Sequence, residues 1–167
     1  MRLPALALLL IAAMTPARAG EVVFDPASLD SCWAEHGRAG SCIGAGYTPC
    51  MEATPFGASN QGMTHCMAAE LDWWEALVAR LLDDLREAEA AFDAAPLEPW
   101  PYLPPALDAL ERTQALWEAW AEARCDYMTI EFLGGTMRGP VWVGCRLELT
   151  ARQADFLAQR LGAHANR

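Results

Sequence analysis

The side chains that could do chemistry in this chain are three histidines, six cysteines and many carboxylates. His65 adjoins Cys66 and His36 follows Cys32 by four residues, so the residue types would suit a zinc site or a Cys–His nucleophile. Either site needs a free thiolate, and the disulfides expected below leave none. The sequence therefore predicts no metal ion, no cofactor and no catalytic residue. We expect His164, near the C-terminus, to be solvated.

The carboxylates form no recognisable pair for general acid–base catalysis. Asp83, Asp84 and Glu87 lie on or near the outer side of a long predicted helix, where charged side chains usually face water. A catalytic acid pair needs a recessed, apolar environment that raises the pKa of one partner, and the sequence shows none. We therefore predict that the protein is not an enzyme.

The segment Gly134-Gly135-Thr136 indicates an unusual backbone conformation. It is not a phosphate-binding loop, because the lysine of such a loop is missing and no strand precedes it. The glycines could simply supply a positive φ for a turn. Alternatively, Gly134, Gly135 and Thr136 form a rigid loop that binds a partner.

The N-terminal segment has the composition of a cleaved signal peptide. A positive start is followed by an apolar run over residues 3–14 and by the cleavage site Ala17-Arg18-Ala19. The run is shorter than the ~20 residues of a membrane-spanning helix, and residue 20 is not the cysteine of a lipoprotein. We predict a periplasmic or secreted protein with four parts: signal peptide 1–19, cysteine-containing segment with short helices 20–62, helical domain 63–162 and tail 163–167.

The charge of the chain limits its partners. The net charge is −10 and there is no lysine, and loss of Arg2 and Arg18 with the signal peptide would make it −12. Such a charge repels nucleic acid and anionic lipid and attracts cationic partners. It could also do no more than keep an exported protein soluble. We predict no nucleic-acid binding and no membrane insertion after signal cleavage.

Heptad spacing predicts three long helices. They run from about 64 to 92, from near 105 to 128, and from about 141 to 161, where Gly162 would stop the third. Residues 96–105 hold five prolines and predict a stiff connector. The predicted inner side of the first helix is Met67, Leu71, Trp74, Val78, Leu81, Leu85, Ala88 and Phe92. That of the third is Trp142, Cys145, Leu149, Arg152, Phe156 and Leu161.

The predicted fold class is all-α, a disulfide-stapled antiparallel bundle of three long helices with short N-terminal helices. All six cysteines lie beyond residue 19, and an even number in an exported protein argues for disulfides, although six cysteines allow 15 pairings. In such a bundle the start of the first long helix, the end of the second and the start of the third meet at one pole. This arrangement favours Cys125–Cys145, which leaves Cys50 for Cys66. Cys32 and Cys42 flank a predicted turn at residues 37–40 and could bridge across it.

The block from Gln114 to Arg152 has a specific order of residues. Its members are Gln114, Trp117, Trp120, Glu122, Cys125, Gly134-Gly135-Thr136, Cys145, Leu149, Thr150 and Arg152. With Met63-x-x-Cys66 upstream, it resembles the lysozyme-inhibitor LprI-like N-terminal domain family, bacterial envelope proteins mostly of unknown function. The resemblance spans about residues 50–161. Ala121 departs from it, because the family usually has arginine there.

Two further side chains are candidates for specific roles. Trp73 points outward on the helical wheel beside acidic residues, where it could anchor a cationic protein surface or pack beneath the proline-rich connector. Gln114 falls on the apolar seam and needs a hydrogen-bond partner. Arg152 or a carbonyl beside Thr136 could supply one, unless Gln114 lies at the seam edge in water.

The resemblance implies a binding protein with lysozyme as the named class of target. An anionic inhibitor would be steered toward a cationic hydrolase and would occlude its glycan cleft. The predicted function is therefore an exported lysozyme inhibitor. The alternative is a periplasmic module that binds another envelope protein, or a small ligand between its helices, without affecting lysozyme.

Overall fold

The computed structural model describes residues 21–95 and 102–166. Helices account for 78% of the structure and these two stretches contain no strand, so the all-α prediction is confirmed. The elements in chain order are α1 (Ala27–His36), α2 (Ala39–Cys42), α3 (Tyr47–Ala53), α4 (Asn60–Asp93), α5 (Ala106–Met128), a 3₁₀ turn (Ile130–Phe132) and α6 (Arg138–Ala165). The predicted signal peptide and residues 96–101 of the connector lie outside the described residues. Within the described stretches, no helix combines the length and apolarity needed to cross a membrane.

The ends of α4 and α6 differ from those that the heptad pattern predicts. α4 starts at Asn60 because the hydroxyl of Ser59 caps it, accepting the Gly62 backbone N–H at 3.0 Å. α6 continues through Gly162 to Ala165, so the predicted stop at Gly162 was wrong. Its last turns are held against α4 by contacts that the sequence does not reveal.

The core lies mainly between α4 and α6, the two helices in most extensive contact. Trp74 is fully buried at its centre among aliphatic side chains from both helices, each of which stabilises the fold by ~1.5–3 kcal/mol on burial. Ion pairs follow the same order along both helices, Glu75 with Arg146 and Glu89 with Arg160. The predicted inner side of α4 is buried or half-buried except at Phe92.

The buried face of α6 differs from the predicted one. The sequence predicts Arg152 and Phe156 inside, but both are exposed, and Arg152 pairs with Glu148 of its own helix at 2.7 Å. Gln153 and Leu157, one position further along, are buried instead. The reason is that α6 packs against both α4 and α5, so the positions of two neighbouring helices set its buried face, which is shifted from the predicted seam in this part of the helix.

A buried carboxylate fastens the N-terminal segment to α4. Glu70 is completely buried, and its oxygens accept the backbone N–H groups of Gly44, Gly46 and Tyr47 at 2.7–3.0 Å. The indole of Trp74 donates to the same carboxylate at 3.2 Å. Because α3 begins at Tyr47, these bonds satisfy donors that a helix start leaves open. The sequence analysis did not single out this carboxylate, which is a lone buried acceptor and not one of a pair.

Disulfides link successive elements of the chain. The three bonds are Cys32–Cys42 between α1 and α2, Cys50–Cys66 between α3 and α4, and Cys125–Cys145 between α5 and α6. All six cysteines lie in the described residues and none is free, so the prediction of disulfides is confirmed. Close to Cys66, position 62 requires glycine. A Cβ atom at Gly62 would lie 2.2 Å from the carbonyl oxygen of Phe56 and would clash with it.

Candidate partner-binding site

The connection between α5 and α6 is a loop whose two ends are fixed. Cys125 in the last turns of α5 is bonded to Cys145 near the start of α6, with their Cα atoms 5.6 Å apart. One residue beyond Cys125, the carboxylate of Asp126 accepts the indole N–H of Trp142 at 2.9 Å. The disulfide and this hydrogen bond together limit the conformations open to the loop.

Within this frame the glycine segment forms a hydrogen-bonded turn. Gly134 has φ 78°, a conformation that glycine adopts without steric cost. The N–H of Gly135 donates to the carbonyl of Phe132 at 3.0 Å. The hydroxyl of Thr136 accepts the side-chain N–H of Asn60 at 2.7 Å, which ties the loop to the start of α4. Gly134, Gly135 and Thr136 are all exposed, as a contact loop requires.

Large apolar side chains flank the glycine turn and face solvent. Their exposed fractions range from 38% at Met137 to 72% at Tyr127. A cluster of exposed large apolar side chains is typical of a binding surface, and tyrosine and methionine are enriched in protein interfaces. We name this cluster the loop patch. It consists of Tyr127, Met128, Ile130, Leu133 and Met137.

A groove of about 410 Å³ lies between α5 and α6. On one wall Trp120 is 50% exposed, and the guanidinium carbon of Arg124 lies 5.3 Å from the centre of its ring, a cation–π distance. On the other wall stands the Arg152–Glu148 pair. We name this the α5–α6 groove. Its lining residues are Trp117, Trp120, Arg124, Glu148, Leu149, Arg152 and Gln153.

The groove brings together several residues of the Gln114-to-Arg152 block. Trp117, Trp120 and Arg152 line it directly. Gln114 is half-buried beside it and accepts the side-chain N–H of Gln153 at 2.8 Å. The partner of Gln114 is thus neither Arg152, which turns outward, nor a carbonyl beside Thr136. Thr150 is buried and does not line the groove.

Behind the groove, Arg146 connects all three long helices. It is buried, its Nη2 lies 2.8 Å from Glu118 of α5 and 3.9 Å from Glu75 of α4, and its guanidinium carbon lies 5.7 Å from the ring centre of Trp117. Burial raises the pKa of Glu75; the charge of Arg146 opposes this rise, while Asp72 and Glu118 add to it. The network holds Trp117 in place from behind.

Trp73 does not point outward as the helical wheel indicates. It is half-buried, its indole N–H donates to Asp30 of α1 at 3.0 Å, and its ring lies edge-on to Trp74 with centres 4.8 Å apart. α1 therefore contributes to covering Trp73. The helical wheel indicates the wrong surroundings for Trp73 because it takes account of α4 alone and not of the neighbouring α1.

The three histidines differ in their surroundings. His36 and His65 are exposed, whereas His164 is not solvated as predicted, because its Nε2 lies 3.0 Å from the buried carboxylate of Glu89. Burial tends to raise the pKa of Glu89, but interactions with His164 and Arg160 outweigh it and the pKa is lowered. Over residues 21–95 and 102–166, no group of three or more His, Cys, Asp or Glu side chains is placed to hold a metal ion.

The sequence did not lead us to the loop patch or to Arg124, whereas Arg152 was among the residues that it singled out. A signal for the patch exists in the run from Tyr127 to Met137, where large apolar residues stand in a connection that would normally be polar. No comparable signal marks Arg124, because an arginine on an exposed helix face is ordinary. Its position beside Trp120 follows from their spacing of four residues on α5, but only the packing of α5 against α6 places both in a groove.

Comparison with known proteins relates the chain to one family. The sequence model of the family described as lysozyme inhibitor LprI matches residues 50–157, a range that includes the loop patch and the whole groove. An uncharacterized 17.7 kDa protein in the puhA 5′ region of Rhodobacter capsulatus is 33% identical over 100 residues, 55% of this chain and 57% of that protein. The chain thus spans little more than half the length of this curated relative. No solved structure matches.

Proposed function

The chain belongs to the lysozyme inhibitor LprI family, and we propose that it is an exported protein that binds and inhibits a cationic lysozyme. The observation that carries this proposal is the family match over residues 50–157. Export is supported by the three disulfides, since such bonds persist in oxidising compartments. We infer that residues 1–19 are removed as a signal peptide and that the protein acts in the periplasm or outside the cell.

We infer that the three long helices form an up-down-up bundle, with residues 20–62 packed against it. The ion pairs of α4 with α6 occur in the same order along both helices. The contacts of α5 with α6 occur in opposite order, from Gln114 with Gln153 to Cys125 with Cys145. Such a bundle would serve as a rigid support for the loop between α5 and α6.

In this proposal the glycine turn and the loop patch contact the lysozyme. The exposed side chains of Leu133 and Tyr127 would lose water in the complex and supply the apolar centre of the interface. Because the disulfide and the Asn60–Thr136 bond already order the loop, binding would cost little conformational entropy. Inhibition would follow from steric occlusion of the glycan cleft, and the protein itself would cleave no glycan.

The direct test is titration of the purified, disulfide-bonded protein against chicken-type, goose-type and invertebrate-type lysozymes. We expect inhibition of at least one type at micromolar protein, with no glycan cleavage by the protein alone. Leu133→Asp should weaken inhibition at least about tenfold, because it places a charge in the apolar contact. Leu116→Asp is the matched control, since Leu116 is similarly exposed, on α5 outside the loop patch, and it should inhibit like the unmodified protein.

Two results would contradict the proposal. Failure to inhibit all three lysozyme types at micromolar protein would remove the inhibitor function for this member of the family. Equal inhibition by the Leu133→Asp and Leu116→Asp variants would show that the loop patch is not the contact. Circular dichroism of each variant would establish that its helices are intact.

A further inference from the structure

The α5–α6 groove carries charges that differ from those of the molecule around it. The chain has net charge −10 and no lysine, yet two guanidinium groups converge on this groove, those of Arg124 and Arg152. In the described residues, Arg124 has no carboxylate within salt-bridge distance, and Arg152 has only Glu148 of its own helix. An exposed pair of this kind contributes little to stability, so neither guanidinium is committed to holding the fold.

Between these guanidiniums the groove offers an aromatic platform with polar side chains beside it. Trp120 is half exposed and Trp117 is held from behind by Arg146. Gln153 contributes an amide, and Glu148 a carboxylate acceptor. The lining therefore combines aromatic rings with hydrogen-bond donors and an acceptor. At about 410 Å³ the groove lies in the size range of small-molecule sites.

We propose that the α5–α6 groove binds an acidic saccharide, with a sugar ring against Trp120 and its carboxylate held by Arg124 and Arg152. Guanidinium groups bind carboxylates by paired, charge-assisted hydrogen bonds. The apolar face of a sugar ring would cover the exposed indole, and Glu148 and Gln153 would take its hydroxyls. A neutral saccharide would leave Arg124 without a counter-charge, and a carboxylate without a ring would leave Trp120 uncovered.

Calorimetry with three defined probes tests the proposal on the purified, disulfide-bonded protein. The probes are a hyaluronan tetrasaccharide, which carries carboxylates, neutral chitotetraose of the same length, and citrate, which carries carboxylates without a ring. We expect the hyaluronan tetrasaccharide to bind at least about tenfold more tightly than either other probe and to change tryptophan fluorescence. Absence of hyaluronan binding at millimolar ligand overturns the proposal. Equal binding of chitotetraose or of citrate overturns it as well, because the first shows no carboxylate recognition and the second no ring recognition.

Substitutions then locate the site. Arg152→Gln and Arg124→Gln should each weaken hyaluronan binding about tenfold, the usual effect of losing a hydrogen bond to a charged group. Arg112→Gln, at an exposed position of α5 outside the lining, is the matched control and should leave affinity unchanged. Trp120→Phe should retain more affinity than Trp120→Ala. If all four groove variants (Arg152→Gln, Arg124→Gln, Trp120→Phe and Trp120→Ala) bind hyaluronan as tightly as the unmodified protein, the saccharide binds elsewhere. Melting temperatures would confirm that each variant is folded.

The proposed saccharide site and the proposed lysozyme contact are different surfaces, so a substitution in one should not affect the other. Leu133→Asp in the loop patch should reduce lysozyme inhibition and leave hyaluronan binding unchanged, whereas Arg152→Gln should do the reverse. Loss of both activities in both variants would contradict the assignment of two separate surfaces.

Discussion

The tryptophans differ widely in burial, so replacing them should change the stability of the protein by very different amounts. Trp74 is 0% exposed and Trp120 is 50% exposed. Replacing a fully buried tryptophan by alanine costs ~3–5 kcal/mol, while surface changes usually cost about 0.5 kcal/mol. We expect Trp74→Ala to lower the free energy of unfolding by ~3–5 kcal/mol and Trp120→Ala by less than about 1 kcal/mol. Equal shifts of the two midpoints in urea denaturation would contradict the packing described above.

Glu70 gives a second prediction at the scale of one side chain. Its carboxylate accepts three backbone N–H groups and one indole N–H, and glutamine would turn one acceptor into a donor facing those groups. We expect Glu70→Gln to lower the free energy of unfolding by about 1–3 kcal/mol and to expose residues 39–53 to proteolysis. Glu87→Gln, on the exposed side of the same helix, is the control. A Glu70 variant as stable and as protease-resistant as the Glu87 variant would show that the carboxylate does not fasten the segment.

At the scale of helices, the Cys125–Cys145 disulfide should matter both for stability and for function. It closes a sequence separation of 20 residues, so replacing both cysteines by serine should cost about 3 kcal/mol in the chain-entropy model. Because the bond also frames the loop patch, the same variant should inhibit lysozyme less well at a temperature where it remains folded. The double serine variant of Cys32 and Cys42 should lose stability but not inhibition. Unchanged inhibition without Cys125–Cys145 would show that the loop needs no covalent frame.

Because of the contact between α4 and the last turns of α6, the free energy of unfolding should fall as the solution becomes acidic. The pKa of Glu89 is lowered from its ordinary value of 4.5, so its charged form is favoured by folding. That contribution is complete above the unfolded pKa and is lost as pH falls through the folded pKa. Denaturation measured from about pH 6 down to pH 3 should therefore show a smaller loss of stability for Glu89→Gln than for the unmodified protein. The control variant Asp84→Asn, at an exposed position of α4, should lose stability with falling pH as the unmodified protein does. The same pH dependence of the free energy of unfolding in all three proteins would contradict the ionic role of Glu89.

The charge of the whole molecule leads to a kinetic prediction that rests on the proposed function. The net charge is −10 for the full chain and −12 once Arg2 and Arg18 are lost with the proposed signal peptide, so association with a cationic lysozyme should be steered by long-range attraction. The association rate constant should fall as salt rises from about 20 to about 300 mM, because exposed charges are screened beyond ~8–10 Å at 0.1–0.15 M. The dissociation rate should change much less, since it depends on the desolvated apolar contact. An association rate independent of salt would mean that the acidity serves only solubility.

The sequence by itself determined the helical class, the approximate course of the long helices and most of the inner side of α4. Heptad spacing is a local property, because residues three and four apart share one face of any helix. The sequence also indicated a turn at Gly134-Gly135, because glycine readily adopts the positive φ that a tight turn needs, and Gly134 has such a φ. The cysteines and the glycine loop of the candidate site could therefore be found without a structure.

Only the tertiary structure decided which other faces are covered and where side chains from different helices meet. Trp73 is covered by α1, His164 and Arg160 reach Glu89 of α4, and Glu70 receives the start of α3. The α5–α6 groove is set in the same way, because Trp120 and Arg152 share it only through the packing of their two helices. The physical reason is common to all four: the periodicity of one helix gives the direction of each side chain, but its burial and its charge partner depend on the position of another element.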